Sequence, residues 1–201
     1  IVLSAIVVAD LFRYPVKSLA GTRFASLAVD RRGPRLDRHW MVVDPSGAFL
    51  TQRRYPRMCL VQAQVEDPGE VLRLEAPGMA PLRVAGDDGG DLPVEIWNDR
   101  LTARTCGAEA DAWLSEFLDT RCRLVCLPAS ETRVVDQRWA APRDEVGFAD
   151  GFPFLLVSRA ALDALNTRLD APVAMSRFRP NVVVDGCPAH AGMVPRIRLS
   201  A

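Results

Sequence analysis

Of the 25 basic side chains in these 201 residues only one, Lys17, is a lysine. Arginine-for-lysine bias is the ordinary mark of a GC-rich gene. It still singles out one compact point charge that arginine does not imitate. Histidine is nearly as scarce, with His39 and His190 alone, and the five cysteines form no CxxC pair. Cys122 and Cys126 share a strand face at spacing four but have no His or Cys nearby in sequence, which argues against a zinc site. The motifs GxSxG, GxGxxG and the P-loop are all missing, and with them the usual signatures of α/β-hydrolases, dinucleotide-binding folds and P-loop nucleotidases. No apolar run approaches the roughly 20 residues of a membrane-spanning helix. Ile1 to Ala9 are nearly all apolar, but they are too few to span and carry no basic stretch of the signal-peptide kind. An odd number of unpaired-looking thiols without such a signal favours a reducing, cytoplasmic setting with free cysteines and no membrane partner. Nor is there an excess charge of either sign: 25 basic residues face 25 acidic ones. The densest basic cluster, Arg31, Arg32, Arg35 and Arg38 followed by Arg53, Arg54 and Arg57, is too sparse for a nucleic-acid partner. A small anionic ligand remains compatible with it.

What is present is a globular chain, 49% hydrophobic and 25% charged. Its first hundred residues read as short strands. They cover Ile6 to Tyr14, Phe24 to Val29, Arg38 to Asp44, Ala48 to Thr51, Met58 to Val65, Val71 to Glu75, Pro81 to Val84, Leu92 to Trp97 and Leu101 to Cys106. Turn clusters separate them: Pro45-Ser46-Gly47, Asp67-Pro68-Gly69 and Asp87-Asp88-Gly89-Gly90. Many short strands punctuated by Gly and Pro predict a barrel or sandwich. Ala110, Trp113, Leu114, Phe117 and Leu118 fall on one face of a helix. Cys122 to Leu127 reads as a buried strand, and Ala129 to Asp150 as a long irregular loop. Pro153 to Val157 reads as a strand. Ser158 is then the N-cap of a helix to about Leu169 with Leu162, Leu165 and Leu169 on its buried side. A short helical turn precedes an extended Arg177 to Asp185. Ile197 to Leu199 could begin one more strand. The expected fold is mainly β with some α, divided into residues 1–121 and 122–201, the second part being thin for a core of its own.

Three places carry candidate chemistry. In Tyr14-Pro15-Val16-Lys17-Ser18, the proline ends the strand and delivers an ammonium and a hydroxyl side by side on a loop, a pair suited to a phosphate or pterin oxygen. Taken alone it reads more simply as a surface lysine beside a turn serine. A lone lysine also raises a Schiff base with pyridoxal phosphate, although a loop lysine next to serine fits phosphate contact better. In Ser176-Arg177-Phe178-Arg179-Pro180-Asn181, an extended chain places Arg177 and Arg179 on one side, with Asn181 adding donor and acceptor beyond the proline. Taken alone this is a solvated loop. Arg38 shares an otherwise apolar strand face with Trp40 and Val42, so it either pairs with a carboxylate, Asp37 or Asp44, or faces a ligand. Carboxylate pairs such as Asp87-Asp88 sit in turns and read as solubility features.

These pieces occur in a recognisable order: Tyr14-Pro15-Val16-Lys17-Ser18, Leu36-Asp37-Arg38-His39-Trp40, Thr51-Gln52-Arg53-Arg54-Tyr55-Pro56-Arg57, Pro153-Phe154-Leu155-Leu156-Val157-Ser158 and Phe178-Arg179-Pro180-Asn181-Val182. Together they resemble the MOSC N-terminal β-barrel domain followed by a partial MOSC β-barrel domain, as in YcbX-like proteins and the mitochondrial amidoxime-reducing component. The resemblance implies two β-rich domains with a molybdenum–molybdopterin cofactor between them. It implies that Lys17, Ser18, Arg38, Arg179 and Asn181 contact the pterin, with Gly151 and Phe152 offering backbone contacts in the loop before the PFL strand. Phosphate-bearing cofactors take such partners. The implied reaction is two-electron reduction of small N-hydroxylated compounds, with electrons from a partner flavin or iron–sulfur protein. The family's metal-ligating cysteine lies further downstream than this chain extends, and Cys187 falls too early to match it. Two alternatives follow from that: a non-catalytic module that binds molybdopterin or a sulfur carrier, or an inactive remnant.

Overall fold

The computed structural model describes residues 5–66, 71–87 and 89–189. The proposed strand start at Ile197, the Asp67-Pro68-Gly69 turn, Asp88 and His190 lie outside them. The strands, in chain order, are β1 (Val7–Arg13), β2 (Thr22–Phe24), β3 (Val29–Asp30), β4 (Gly33–Pro34), β5 (Trp40–Val43), β6 (Gln62–Glu66) and β7 (Val71–Glu75). Beyond these come β8 (Leu82–Val84), β9 (Asp91–Ile96), β10 (Asp99–Thr105), β11 (Arg123–Cys126), β12 (Leu156–Ser158) and β13 (Val182–Asp185). Among the described residues there are also two α-helices, α1 (Ala108–Leu118) and α2 (Arg159–Asn166).

Strands β5, β11, β10 and β9 form one sheet, β6, β7 and β8 a second, and β12, β13, β1 and β2 a third, with β3 and β4 as a small hairpin. β5 explains how the first sheet sits. All four of its residues are buried, the pattern of a strand covered on both faces. Trp40 and Val42 point into the larger apolar core, while Met41 and Val43 point into the smaller one on the opposite side. β11 does the same: Leu124 and Cys126 enter the first core and Val125 the second. Helix α1 packs its predicted face, with Ala110, Trp113, Leu114, Phe117 and Leu118 all buried in the larger core.

The first and last described strands meet in the third sheet, where β1 pairs antiparallel with β13. Two of the sheets therefore draw strands from both sides of residue 121. Ser158 caps α2 as its sequence predicts, accepting a hydrogen bond from the Ala161 amide at 3.1 Å. The helix ends at Asn166, short of Leu169, and Leu169 is exposed.

Several local expectations are corrected. Phe24 to Val29 is not one strand: β2 ends at Phe24 and β3 begins at Val29. The strand expected from Met58 begins only at Gln62: Pro56–Leu60 form a 3-10 helix before β6, with Pro56 in its first turn, where the missing amide costs nothing. Arg38 is not on the β5 face but in a left-handed turn (φ 45°) just before it. Arg177 and Arg179 do not lie on one extended strand: Met175–Arg177 is a 3-10 turn and Arg179 is left-handed (φ 56°).

Candidate anion-binding site

The site is assembled by backbone before any side chain acts. Leaving β1, the chain turns at Pro15 and runs beside the entry to β5. The Lys17 amide donates to the Trp40 carbonyl at 2.8 Å, and the Trp40 amide to the Pro15 carbonyl at 3.0 Å. The Arg38 amide donates to the Tyr14 carbonyl at 2.7 Å, and the Arg38 carbonyl accepts from the Phe148 amide at 2.8 Å. The first motif, the Asp37-Arg38 turn and the end of the long loop are thus stitched together. Phe148, fully buried in the smaller core, anchors that loop end.

Side chains then converge there. Lys17 is buried, and its ammonium donates to the Phe148 carbonyl at 3.0 Å and to Asp150 Oδ1 at 2.5 Å. It also lies 5.2 Å from the Phe49 ring and 5.6 Å from the Trp97 ring, within cation–π range. Arg38 pairs with Asp37, and its Nη1 donates to Asn181 Oδ1 at 3.0 Å while its Nη2 donates to the Arg179 carbonyl at 2.8 Å. Asp37, itself buried, accepts from the Tyr14 amide at 2.7 Å. Of the two readings of Arg38, the carboxylate partner is realised, and it is Asp37. Asp44 instead closes its own turn through Ser46 and Ala48.

Arg179 reaches across from the far motif. Its guanidinium donates to the Leu19 and Val16 carbonyls, so it brackets the Lys17-Ser18 turn. Asn181 ties three strands' ends: its Nδ2 donates to the Phe12 carbonyl at 3.2 Å, and its Oδ1 accepts from the Leu155 amide at 3.2 Å. Both guanidiniums lie against one ring, that of Tyr14, with Arg38 at 4.5 Å and Arg179 at 4.4 Å from its centroid. Lys17, Arg38, Arg179 and Asn181 are therefore brought together. Ser18 follows Lys17 in left-handed backbone (φ 65°), its carbonyl accepting from Gln52 at 2.7 Å. Gly151 is half-buried beside Asp150, and the Phe152 side chain is exposed.

Electrostatics follow from burial. Burial pushes the Lys17 ammonium below the usual lysine range, with Asp150 opposing. Burial, then the neighbouring Arg38 cation, pulls Arg179 down to about 10, so it remains charged at neutral pH. Burial pushes Asp37 upward against the pull of Arg38. For Asp150, whose side chain is largely exposed, partial desolvation acts upward, but the Lys17 ammonium together with Trp97 and Arg38 holds the carboxyl below its ordinary value. Such clustering of perturbed groups is characteristic of functional sites. So is strained backbone, and Ser18, Arg38, Trp97 and Arg179 all adopt left-handed φ values without being glycine. A depression of about 480 Å³, lined by Arg31, Arg32, Arg35 and His39, adjoins the cluster through Asp37 and Gly147.

Sequence reasoning missed Arg133. Its buried guanidinium donates to the carbonyls of Gly147 (2.9 Å), Ala149 and Asp150 (3.1 Å) and pairs with Asp99 at 2.6 Å. It shapes the loop that presents Phe148 and Asp150 to Lys17. Asp150 was missed as well, and nothing in its local sequence distinguishes it from a loop aspartate. All five cysteines are free, and among the described residues no group of three or more His, Cys, Asp or Glu side chains could hold a metal ion.

Fold and site define a mainly β protein with a concentrated cationic cluster where β1 meets β13. The comparisons place it further. Residues 5–121 match the MOSC N-terminal beta barrel domain and residues 143–199 the MOSC domain, so the chain belongs to the MOSC family. It is 34% identical over 195 residues to the mouse mitochondrial amidoxime-reducing component 1, covering 92% of this chain and 57% of that protein. It is 32% identical to the rat mitochondrial amidoxime reducing component 2, over 90% of this chain and 57% of that one. It is 31% identical to a zebrafish molybdenum cofactor sulfurase, over 90% of this chain and 24% of that protein. The chain thus spans little more than half the length of the amidoxime-reducing relatives it matches.

Proposed function

We propose that this chain binds the phosphate end of a molybdenum–molybdopterin cofactor and is the cofactor-holding part of a reductase of small N-hydroxylated compounds. The observation that carries this is the meeting of three segments: Arg38 and Arg179 lie against the Tyr14 ring, Asn181 bonds to Arg38, and Arg179 brackets the turn that holds Lys17. The donor set fits a phosphate. With Arg133, four cations face three carboxylates, Asp37, Asp99 and Asp150, and guanidinium and ammonium groups are the strong phosphate partners. Ser18, Gly151 and Phe152 are proposed contacts of the same cofactor, the last two through backbone.

When bound, the molybdenum cofactor would supply the two-electron redox chemistry. The overall change is a hydroxylamine or amidoxime plus two electrons and two protons giving the amine or amidine and water, with the electrons from a flavin or iron–sulfur partner. This chain's own residues bind and orient. Arg179 and Asn181 fix the turn and strand ends, Arg133 shapes the loop at 147–150, and Lys17 supplies a buried cation. The two-part division at 121/122 belongs to the same reading. A cytoplasmic setting rests on the cysteine pattern alone. Among the described residues no helix is long and apolar enough to cross a membrane, and the amidoxime-reducing relatives are mitochondrial by name. None of the relatives named above carries pyridoxal phosphate in its name.

A second reading has support of its own: the molybdenum cofactor sulfurase relative favours a module that binds the cofactor or a sulfur carrier without reducing anything. The test is hydroxylamine reduction with a reduced artificial donor. It would use protein made in a cofactor-competent host, both the 201-residue chain and any longer product of its gene. Amine formation that tracks molybdenum content supports the reductase. Bound pterin without amine formation supports the carrier module or a remnant.

A further inference from the structure

The Tyr14 hydroxyl is the odd group in this site. Tyr14 is 3% exposed, and its phenol oxygen is buried without a hydrogen-bond partner among the described residues. Buried hydroxyls in folded proteins nearly always have one. The ring cannot easily turn away to find it. Gly21 lies flat on its edge, so close that a Cβ there would stand 2.3 Å from Cδ1 and 2.7 Å from Cε1 of Tyr14. Phe12 stacks on the ring at 6.4 Å, and the Arg38 and Arg179 guanidiniums lie against it. The hydroxyl is thus held without a partner on a ring that two cations flank. Burial raises its pKa although both arginines pull it down, so it keeps its proton at neutral pH and is a donor without an acceptor.

We propose that Tyr14 is a ligand-contacting residue, its hydroxyl donating a hydrogen bond to an anionic phosphate oxygen held by Arg38 and Arg179. The inference rests on the anion-site reading above and adds the neutral donor that the two cations lack. It also makes Gly21 a positioning residue, because only a residue without a side chain lets the ring lie where it does.

The chain has two tyrosines, Tyr14 and Tyr55, so a Cζ-labelled sample gives two resonances, assigned by Tyr14→Phe. Inorganic phosphate is titrated into the full 201-residue chain, following the Cζ signals and, by calorimetry, the affinity. The expected results are a shift of the Tyr14 Cζ resonance alone on adding phosphate, and about tenfold weaker binding by Tyr14→Phe. Without phosphate, Tyr14→Phe should melt no lower than the parent, since the substitution removes an unpaired buried hydroxyl and keeps the ring. A purely packing role for the hydroxyl would instead lower the melting point and leave phosphate affinity unchanged. Unchanged affinity in Tyr14→Phe, with binding lost in Lys17→Met, overturns the role of Tyr14 and leaves the anion site standing. No phosphate binding and no Cζ shift in the parent chain overturns both.

Discussion

Replacing Arg133 with methionine tests whether the loop at 147–150 is held by one buried cation. The side chain keeps much of its length but loses every donor. Three carbonyls, of Gly147, Ala149 and Asp150, lose their partner. Leaving a buried acceptor unmade costs about 1–3 kcal/mol. The three are not additive, because the loop can lift and let water in, so the net loss is about 3 kcal/mol. A domain of this size shifts by roughly 2–4 °C per kcal/mol, which predicts a melting point about 6–12 °C lower by circular dichroism. The effect should be local as well: the Phe148 amide, which donates to the Arg38 carbonyl, should exchange with deuterium faster. Arg133→Lys should rescue little, since one ammonium cannot span acceptors that the guanidinium fork reaches at Nε, Nη1 and Nη2. A melting point within about 2 °C of the parent for Arg133→Met, with Phe148 still protected, would refute the reasoning.

Gly21→Ala forces a methyl into the Tyr14 ring and the Arg13 carbonyl; a loss of about 1–3 kcal/mol in denaturant unfolding is expected, and an unchanged midpoint would count against the packing described. Asn181→Ala leaves the Phe12 carbonyl, the Leu155 amide and one Arg38 donor unmatched, so it should destabilise by about 2–4 kcal/mol. Lys17 gives a pH signature. Its folded pKa is lowered, so the unfolded chain binds more protons between that value and the ordinary lysine value. Stability from this group is present above the unfolded pKa and lost as pH falls through the folded one. Stability of the parent relative to Lys17→Met should therefore rise towards the alkaline end of the range, and a flat difference across it would mean that the ammonium is not desolvated.

How much of this was readable from residues alone differs by element. Helix α1 and strands β5 and β11 declared themselves, because burial of one face gives a helix its period and burial of both faces gives a strand a short continuous apolar run. The Arg38 turn did not. Its left-handed backbone is imposed by hydrogen bonds to Tyr14 and Phe148, which lie 24 and 110 positions away. The same holds for Arg179, which Pro180 alone would leave extended. Lys17, Arg38, Arg179 and Asn181 could be named because short motifs repeat a known family order. Arg133 and Asp150 could not, since both sit in an aperiodic loop and act only through partners far away in sequence. Tyr14 read merely as the end of a strand; nothing short of the folded arrangement reveals that its hydroxyl is left without an acceptor.

The central claim is that these separated cations jointly hold a phosphorylated pterin. The most direct measurement is the pterin and molybdenum that co-purify with the protein from a cofactor-competent host, for the parent and for the combined Lys17→Met and Arg38→Gln variant. The account predicts near-stoichiometric pterin in the parent and almost none in the variant, with both still folded. A pterin-free parent, or a folded variant that keeps its pterin, would contradict it.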